Sequence, residues 1–107
     1  MKIEVLYVPG CPSRSAAVKL VEKVISTEGV EADIREVVVE DEEMARDLRF
    51  TGSPTIRING EDVAAEPQAN QNYAMSCRLY YGSEQIGVPP ADQVRQAVHR
   101  ARERGRL

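Results

Sequence analysis

Two thiols, Cys11 and Cys77, are the side chains in this sequence best suited to chemistry. Cys11 follows Pro9-Gly10 and precedes Pro12-Ser13-Arg14, at the junction between an apolar stretch and an amphipathic one. A residue that begins a helix faces backbone N–H groups without intrahelical partners and the positive end of the helix dipole, and both favour a thiolate over a thiol. Pro12 suits the first helical position, where its fixed φ and missing N–H do no harm. Arg14 would add a positive charge near the sulfur. Cys11 is therefore the expected nucleophile, with Pro12 and Arg14 as thiolate-stabilising neighbours. The alternative is a small buried hydrophobe, which is what free cysteines commonly are.

A second candidate is Ser53-Pro54-Thr55. Proline is tolerated at the first position of a strand because its missing N–H need not join the ladder, and a cis bond there would leave the backbone of Ser53 free to pair with an extended substrate. Ser53, Pro54 and Thr55 are thus expected to bind substrate. The single histidine, His99, has no evident catalytic partner, and without a Cys-rich cluster neither a closed zinc site nor a cofactor is expected.

These residues need elements to hold them. Residues 2–8 place Ile3, Val5 and Tyr7 on one side and Leu6 and Val8 on the other, as in a central strand buried on both faces. From Pro12 onward, Ala17, Leu20, Val21, Val24 and Ile25 recur at helical spacing, and Gly29 lies where such a helix ends. Residues 32–39 are rich in β-branched side chains and read as a parallel second strand, which completes a βαβ unit. Asp41 caps a short helix with Met44, Ala45 and Leu48 as its inward stripe. Residues 55–58 and 61–64 flank Asn59-Gly60, a dipeptide that favours the tight turn of an antiparallel hairpin. Pro89-Pro90 opens a last helix with Val94, Ala97, Val98 and Ala101 on one stripe. The intervening stretch, 66–89, is rich in Pro, Gln, Asn, Ser and Gly and is longer than a usual connection. Tyr80 and Tyr81 within it either shield the site or anchor the insert to the core.

With 107 residues and 42% hydrophobic content, the chain suits one domain, 1–107, that needs no disulfide staples. Hydrophobic stretches are short and broken by charge, and residues 1–8 run into Pro-Gly rather than a cleavage site, so neither a signal peptide nor a membrane span is expected. Two distant cysteines then point to a cytoplasmic thiol protein rather than a secreted disulfide scaffold. The net charge of −3 argues against general nucleic-acid binding. The acidic run 40–43 contrasts with Arg95, Arg100, Arg102, Arg104 and Arg106 near the C-terminus, which form either a solvated face or a site for an anionic partner.

Gly10-Cys11-Pro12-Ser13-Arg14 and Ser53-Pro54-Thr55, in this element order, resemble the thioredoxin and glutaredoxin superfamily. There a strand leads to Cys-x-x-Cys or Cys-x-x-Ser, and a cis-proline later faces the nucleophile. The resemblance covers nearly the whole chain apart from the insert. It implies a thioredoxin-like α/β fold, βαβαββα, with a four-stranded mixed sheet flanked by helices and the insert 66–89 at the active-site end. More narrowly, Tyr7-Val8-Pro9-Gly10-Cys11-Pro12, Phe50-Thr51-Gly52-Ser53-Pro54-Thr55 and Ser76-Cys77-Arg78-Leu79-Tyr80 are similar to a group of bacterial thioredoxin-like proteins, some of which carry an organomercurial-lyase label. Arg14 departs from the dithiol pattern by standing where the second cysteine would be. Residues 61–68 also lack the paired glycines with which glutaredoxins hold glutathione.

If the strand after Pro54 begins beside Cys11, the hairpin returns the chain toward Cys11, and the insert bearing Cys77 starts at that end. Cys77 is then either a resolving thiol or second soft ligand, or a packing residue of the insert. Three functions follow. In the first, Cys11 attacks a disulfide or other electrophilic sulfur on a protein or small-molecule substrate, and Cys77 resolves the mixed disulfide. In the second, Cys11 and Cys77 supply two thiolates to mercury or copper(I). The third is a non-catalytic interaction domain, a monomer or weak homodimer joined through the edge strand at 32–39.

Overall fold

The computed structural model describes residues 1–50, 52–63 and 88–104. The elements run in the order β1 (Lys2–Tyr7), α1 (Arg14–Glu28), β2 (Asp33–Val38), α2 (Glu42–Asp47), β3 (Thr55–Ile58), β4 (Glu61–Asp62) and α3 (Ala91–Arg104). They build a four-stranded mixed sheet in the order β2-β1-β3-β4, the expected α/β architecture. β1 pairs in parallel with β2, from Lys2 opposite Asp33 to Tyr7 opposite Val38. It pairs antiparallel with β3, from Ile3 opposite Ile58 to Leu6 opposite Thr55.

Alternation along β1 feeds two cores. Ile3 and Val5 join Ala17, Val21 and Val24 of α1 and Val94, Ala97 and Val98 of α3 on one face. Leu6 joins Val39, Ala45 and Phe50 on the other, with Met44 of α2 and Leu48 at its C-terminal cap packed against them. Each fully buried aliphatic side chain contributes about 1.5–3 kcal/mol. The two-faced central strand therefore fixes the level at which β1 ends, and with it the start of the loop that carries Cys11.

The ends of the elements are set locally. Gly29, at φ 63°, closes α1 in a Schellman motif, with Gly29 N–H donating to the Ser26 carbonyl and Val30 N–H to the Ile25 carbonyl. Asp41 caps α2 by accepting a 2.8 Å bond from the Met44 amide. Asn59 and Gly60 both adopt positive φ, 51° and 86°, as a two-residue turn of the primed kind requires.

Some boundaries differ from the sequence reading. β2 occupies Asp33–Val38 rather than 32–39; Val39 just beyond it still donates a 2.7 Å bond to the Tyr7 carbonyl and buries its side chain in the second core. β4 is the short Glu61–Asp62, with Val63 buried beyond it. α1 begins at Arg14 rather than Pro12: Pro12 and Ser13 form a turn, and the Ser13 carbonyl accepts a bond from Ala17 N–H. The expectations for residues 66–87 lie outside the described residues, and among these are the insert's position and the roles of Cys77, Tyr80 and Tyr81. Among the described residues no helix is long and apolar enough to cross a membrane.

Candidate functional site

The site is built around the end of β1. Beyond Tyr7 the chain turns through Val8-Pro9-Gly10-Cys11, closed by a 3.1 Å bond from the Cys11 amide to the Val8 carbonyl. Pro9 and Gly10 at the two central positions form the sequence signature of a type II turn, in which the third residue must take positive φ. Gly10 has φ 75°. A Cβ on Gly10 would meet nothing within 4 Å, so backbone conformation rather than crowding selects glycine.

Cys11 is a free, half-buried thiol flanked by the exposed Gly10 and Pro12. Its carbonyl accepts a long 3.5 Å bond from Arg14 N–H, so a tight turn leads from the cysteine into α1. Ser13 occupies the cap position with helical φ, and its hydroxyl does not cap the helix. The first turn of α1 contains no acidic residue, which leaves the positive end of the helix dipole available to an anion at the Cys11 turn.

The same Val8 residue reaches the proline loop. Its amide donates a 3.1 Å bond to the Ser53 hydroxyl oxygen, across 45 residues of sequence. Both peptide groups of Val8 are thus used, one by the Cys11 turn and the other by the loop that precedes β3. The Ser53–Pro54 bond is cis. Ser53 is 2% exposed, Thr55 is fully buried, and the Thr55 hydroxyl donates a 2.5 Å bond to the Gly52 carbonyl. The side chains of this loop therefore hold the loop itself and its bond to β1.

The Arg14 side chain is held between β2 and the Tyr7 ring. Its Nε donates a 2.7 Å bond to Glu36 on β2, and its guanidinium lies 4.9 Å from the centroid of the Tyr7 ring. The Glu36 hydrogen bond and charge, with a smaller contribution from Tyr7, raise the arginine pKa further above its ordinary value, so the group stays cationic. A cation in the first turn of a helix opposes the dipole. Glu36 offsets it and draws the guanidinium onto the sheet.

Glu36, Tyr7 and Val8 were not singled out from the sequence. Glu36 left a signal: it interrupts the inward alternation Ile34, Glu36, Val38 on the α1 face of β2, opposite Val5. A charge at such a position calls for a partner arriving from the covering helix. Val8 left none, because its role lies in its backbone. His99 of α3 contacts Glu28 at the end of α1 and takes no part in the site. Among the described residues no group of three or more His, Cys, Asp or Glu could hold a metal ion.

No curated protein and no solved structure matches the chain. A family model for the thioredoxin domain matches residues 1–65 of the 107, the part that contains all four strands, the Cys11 turn and the Ser53-Pro54 loop. With the mixed sheet, the helices on both faces and the cysteine turn at the end of the central strand, the chain belongs to the thioredoxin domain family.

Proposed function

We propose that this protein carries out thiol–disulfide exchange with Cys11 as the nucleophile, and that Cys77 resolves the mixed disulfide. The observation that carries the reading is the double use of Val8: one residue bonds both the Cys11 turn and the Ser53 loop. That arrangement puts a partly accessible thiol and a buried cis-proline loop at one end of the sheet.

The chemistry balances as two displacements. The Cys11 thiolate attacks one sulfur of a substrate disulfide; a Cys11–substrate S–S bond forms, the substrate S–S bond breaks, and the released thiolate takes a proton from water. The Cys77 thiolate then attacks the Cys11 sulfur and expels the second substrate thiolate. Two electrons have passed from Cys11 and Cys77 to the substrate, and an external thiol reductant must return them. Arg14, held by Glu36 and Tyr7, stands where a dithiol protein has its own resolving cysteine. Resolution must therefore come from farther along the chain or from a free thiol.

Substitution at the two cysteines separates these steps. With a peptide disulfide as substrate, Cys11→Ser is expected to abolish exchange. Cys77→Ser is expected to leave a protein–peptide adduct at Cys11, seen by mass spectrometry under non-reducing conditions. Turnover that persists in Cys11→Ser overturns the reading. Unchanged turnover without adduct in Cys77→Ser removes Cys77 from it and leaves resolution to a free thiol.

A further inference from the structure

An open groove of about 520 Å³ lies along α1, within the size range of ligand sites. Its helical wall consists of two rows at i, i+4 spacing, which places the members of each row one above another. Ala16 and Leu20, with Pro12 of the turn that precedes the helix, form an apolar row, and Ser15, Lys19 and Lys23 form a polar one. Val88, just before α3, completes the lining.

The groove has both a direction and a charge. It starts at Pro12, the residue next to Cys11, and runs away from the thiol along the helix. Lys19 and Lys23 are exposed, and neither makes an ion pair among the described residues, whereas Arg14, Arg35, Arg95 and Arg104 each do. Two like charges at i, i+4 repel one another on the helix surface, so an anion between them would be favoured. Glu22, the acid next to Lys23 in sequence, does not line the groove. In a chain of net charge −3, this rim reverses the prevailing sign.

We infer that the groove receives an acidic segment of the protein whose sulfur Cys11 attacks. The inference rests on the thiol-exchange reading and assigns it a substrate class. Apolar side chains of the segment lie along the row of Pro12, Ala16 and Leu20, and its carboxylates meet Lys19 and Lys23. From Arg14, where α1 begins, the helix rises roughly 8 Å to Lys19 and 14 Å to Lys23, and the Pro12-Ser13 turn adds a few ångström to each. Extended chain covers those distances in about three and five residues. The substrate carboxylates are therefore expected about three and five residues from the reactive cysteine.

The test uses the full-length protein and two series of synthetic peptides, each with one cysteine as its neutral pyridyl disulfide. Within a series, the peptides differ only in having Asp and Glu, or Asn and Gln, at the third and fifth residues from the cysteine, on its N-terminal or C-terminal side. Pyridinethione release at low ionic strength is expected to be roughly tenfold faster for the acidic peptide in one series. That ratio is expected to fall to about one in Lys19→Gln/Lys23→Gln, and to shrink at high salt through screening. A ratio near one in the unsubstituted protein overturns the inference, as does a ratio that survives the double substitution. Reaction of the unsubstituted protein with dipyridyl disulfide reads the thiol alone, and its failure counts against thiol exchange. Fluorescence anisotropy with acidic peptides whose cysteine is replaced by serine reads the groove without chemistry. Binding lost on double substitution supports the groove, and absence of binding overturns it.

Discussion

The ladder between β1 and β3 is closed at both ends by the same device, under opposite conditions. At the hairpin end, the Asn59 side-chain oxygen accepts a 2.9 Å bond from Lys2 N–H, and the Asn59 amide returns a 2.8 Å bond to the Lys2 carbonyl. At the cysteine end, the Ser53 hydroxyl accepts a 3.1 Å bond from Val8 N–H. Asn59 and Lys2 are exposed, whereas Ser53 is buried and Val8 half-buried. Water can replace the first closure and has poor access to the second. A side chain that only finishes a sheet can sit in solvent. One that also holds the turn carrying Cys11 in register is better kept dry, because a lost bond there leaves a donor unsatisfied.

This contrast sets the largest expected effect. Ser53→Ala removes the acceptor for a part-buried amide and is expected to destabilise the fold by about 1–3 kcal/mol, measured by urea denaturation. Asn59→Ala leaves an exposed amide that water can satisfy, so its hydrogen-bond loss is expected to be smaller. The two should also separate in function. Exchange at Cys11 is expected to fall on the order of tenfold in Ser53→Ala through lost positioning, and to stay at the parent rate in Asn59→Ala. Equal losses of exchange in both variants would show that the two closures do not differ in the way burial implies.

A matched pair of glycines sharpens the comparison. Gly10 and Gly60 have φ 75° and 86°, and a Cβ on either would meet nothing within 4 Å. Alanine therefore introduces backbone strain alone at each, worth about 1–2 kcal/mol. Thermal or denaturant unfolding of Gly10→Ala and Gly60→Ala is expected to show similar losses of stability. Only Gly10→Ala, whose turn carries Cys11, is expected to slow exchange with a peptide disulfide. A slowing of the same size in Gly60→Ala would mean that the rate follows stability rather than the turn.

The two ends also differ in how far they could be read in the sequence. Asn59-Gly60 announces its turn by residue type, since positive φ at two successive positions selects those residues, and the structure has that turn. The stripes of α1 and α3 and the two-sided pattern of β1 were legible for a similar reason: a local period reports which face is buried. At the cysteine end, Pro9-Gly10 marked the turn that carries Cys11. The bonds that define the site, however, join Val8 to Ser53 and Arg14 to Glu36, across 45 and 22 residues. No local period reports a bond from a backbone amide to a distant hydroxyl. Arg14 was legible as a cation at the start of α1, but its carboxylate partner was not, because helix position alone says nothing of the neighbouring strand. The start of α1 was placed at Pro12 because proline tolerates the first helical position, but tolerance does not fix where helical hydrogen bonding begins.

The smallest expected effect concerns the end of α2, just ahead of the Ser53 loop. There Phe50 N–H donates to the Ala45 carbonyl and Arg49 N–H to the Arg46 carbonyl, the bonding pattern that also closes α1. The left-handed position is Gly29 in α1, whereas in α2 it is Arg49, at φ 54°. Asn59 at the hairpin end is of a type that tolerates this region; arginine is not. The contacts around Arg49 do not need its side chain: the 2.9 Å bond from Arg57 goes to its carbonyl, and the buried ring of Phe50 anchors the motif. Arg49→Gly is therefore expected to stabilise the protein, by about 0.5–1 kcal/mol after allowing for the greater freedom of an unfolded glycine. A rise in the urea midpoint at unchanged slope measures it. A fall would mean that the arginine side chain holds the cysteine end together through contacts worth more than its backbone strain, which would extend the buried closure at Ser53 to the surface.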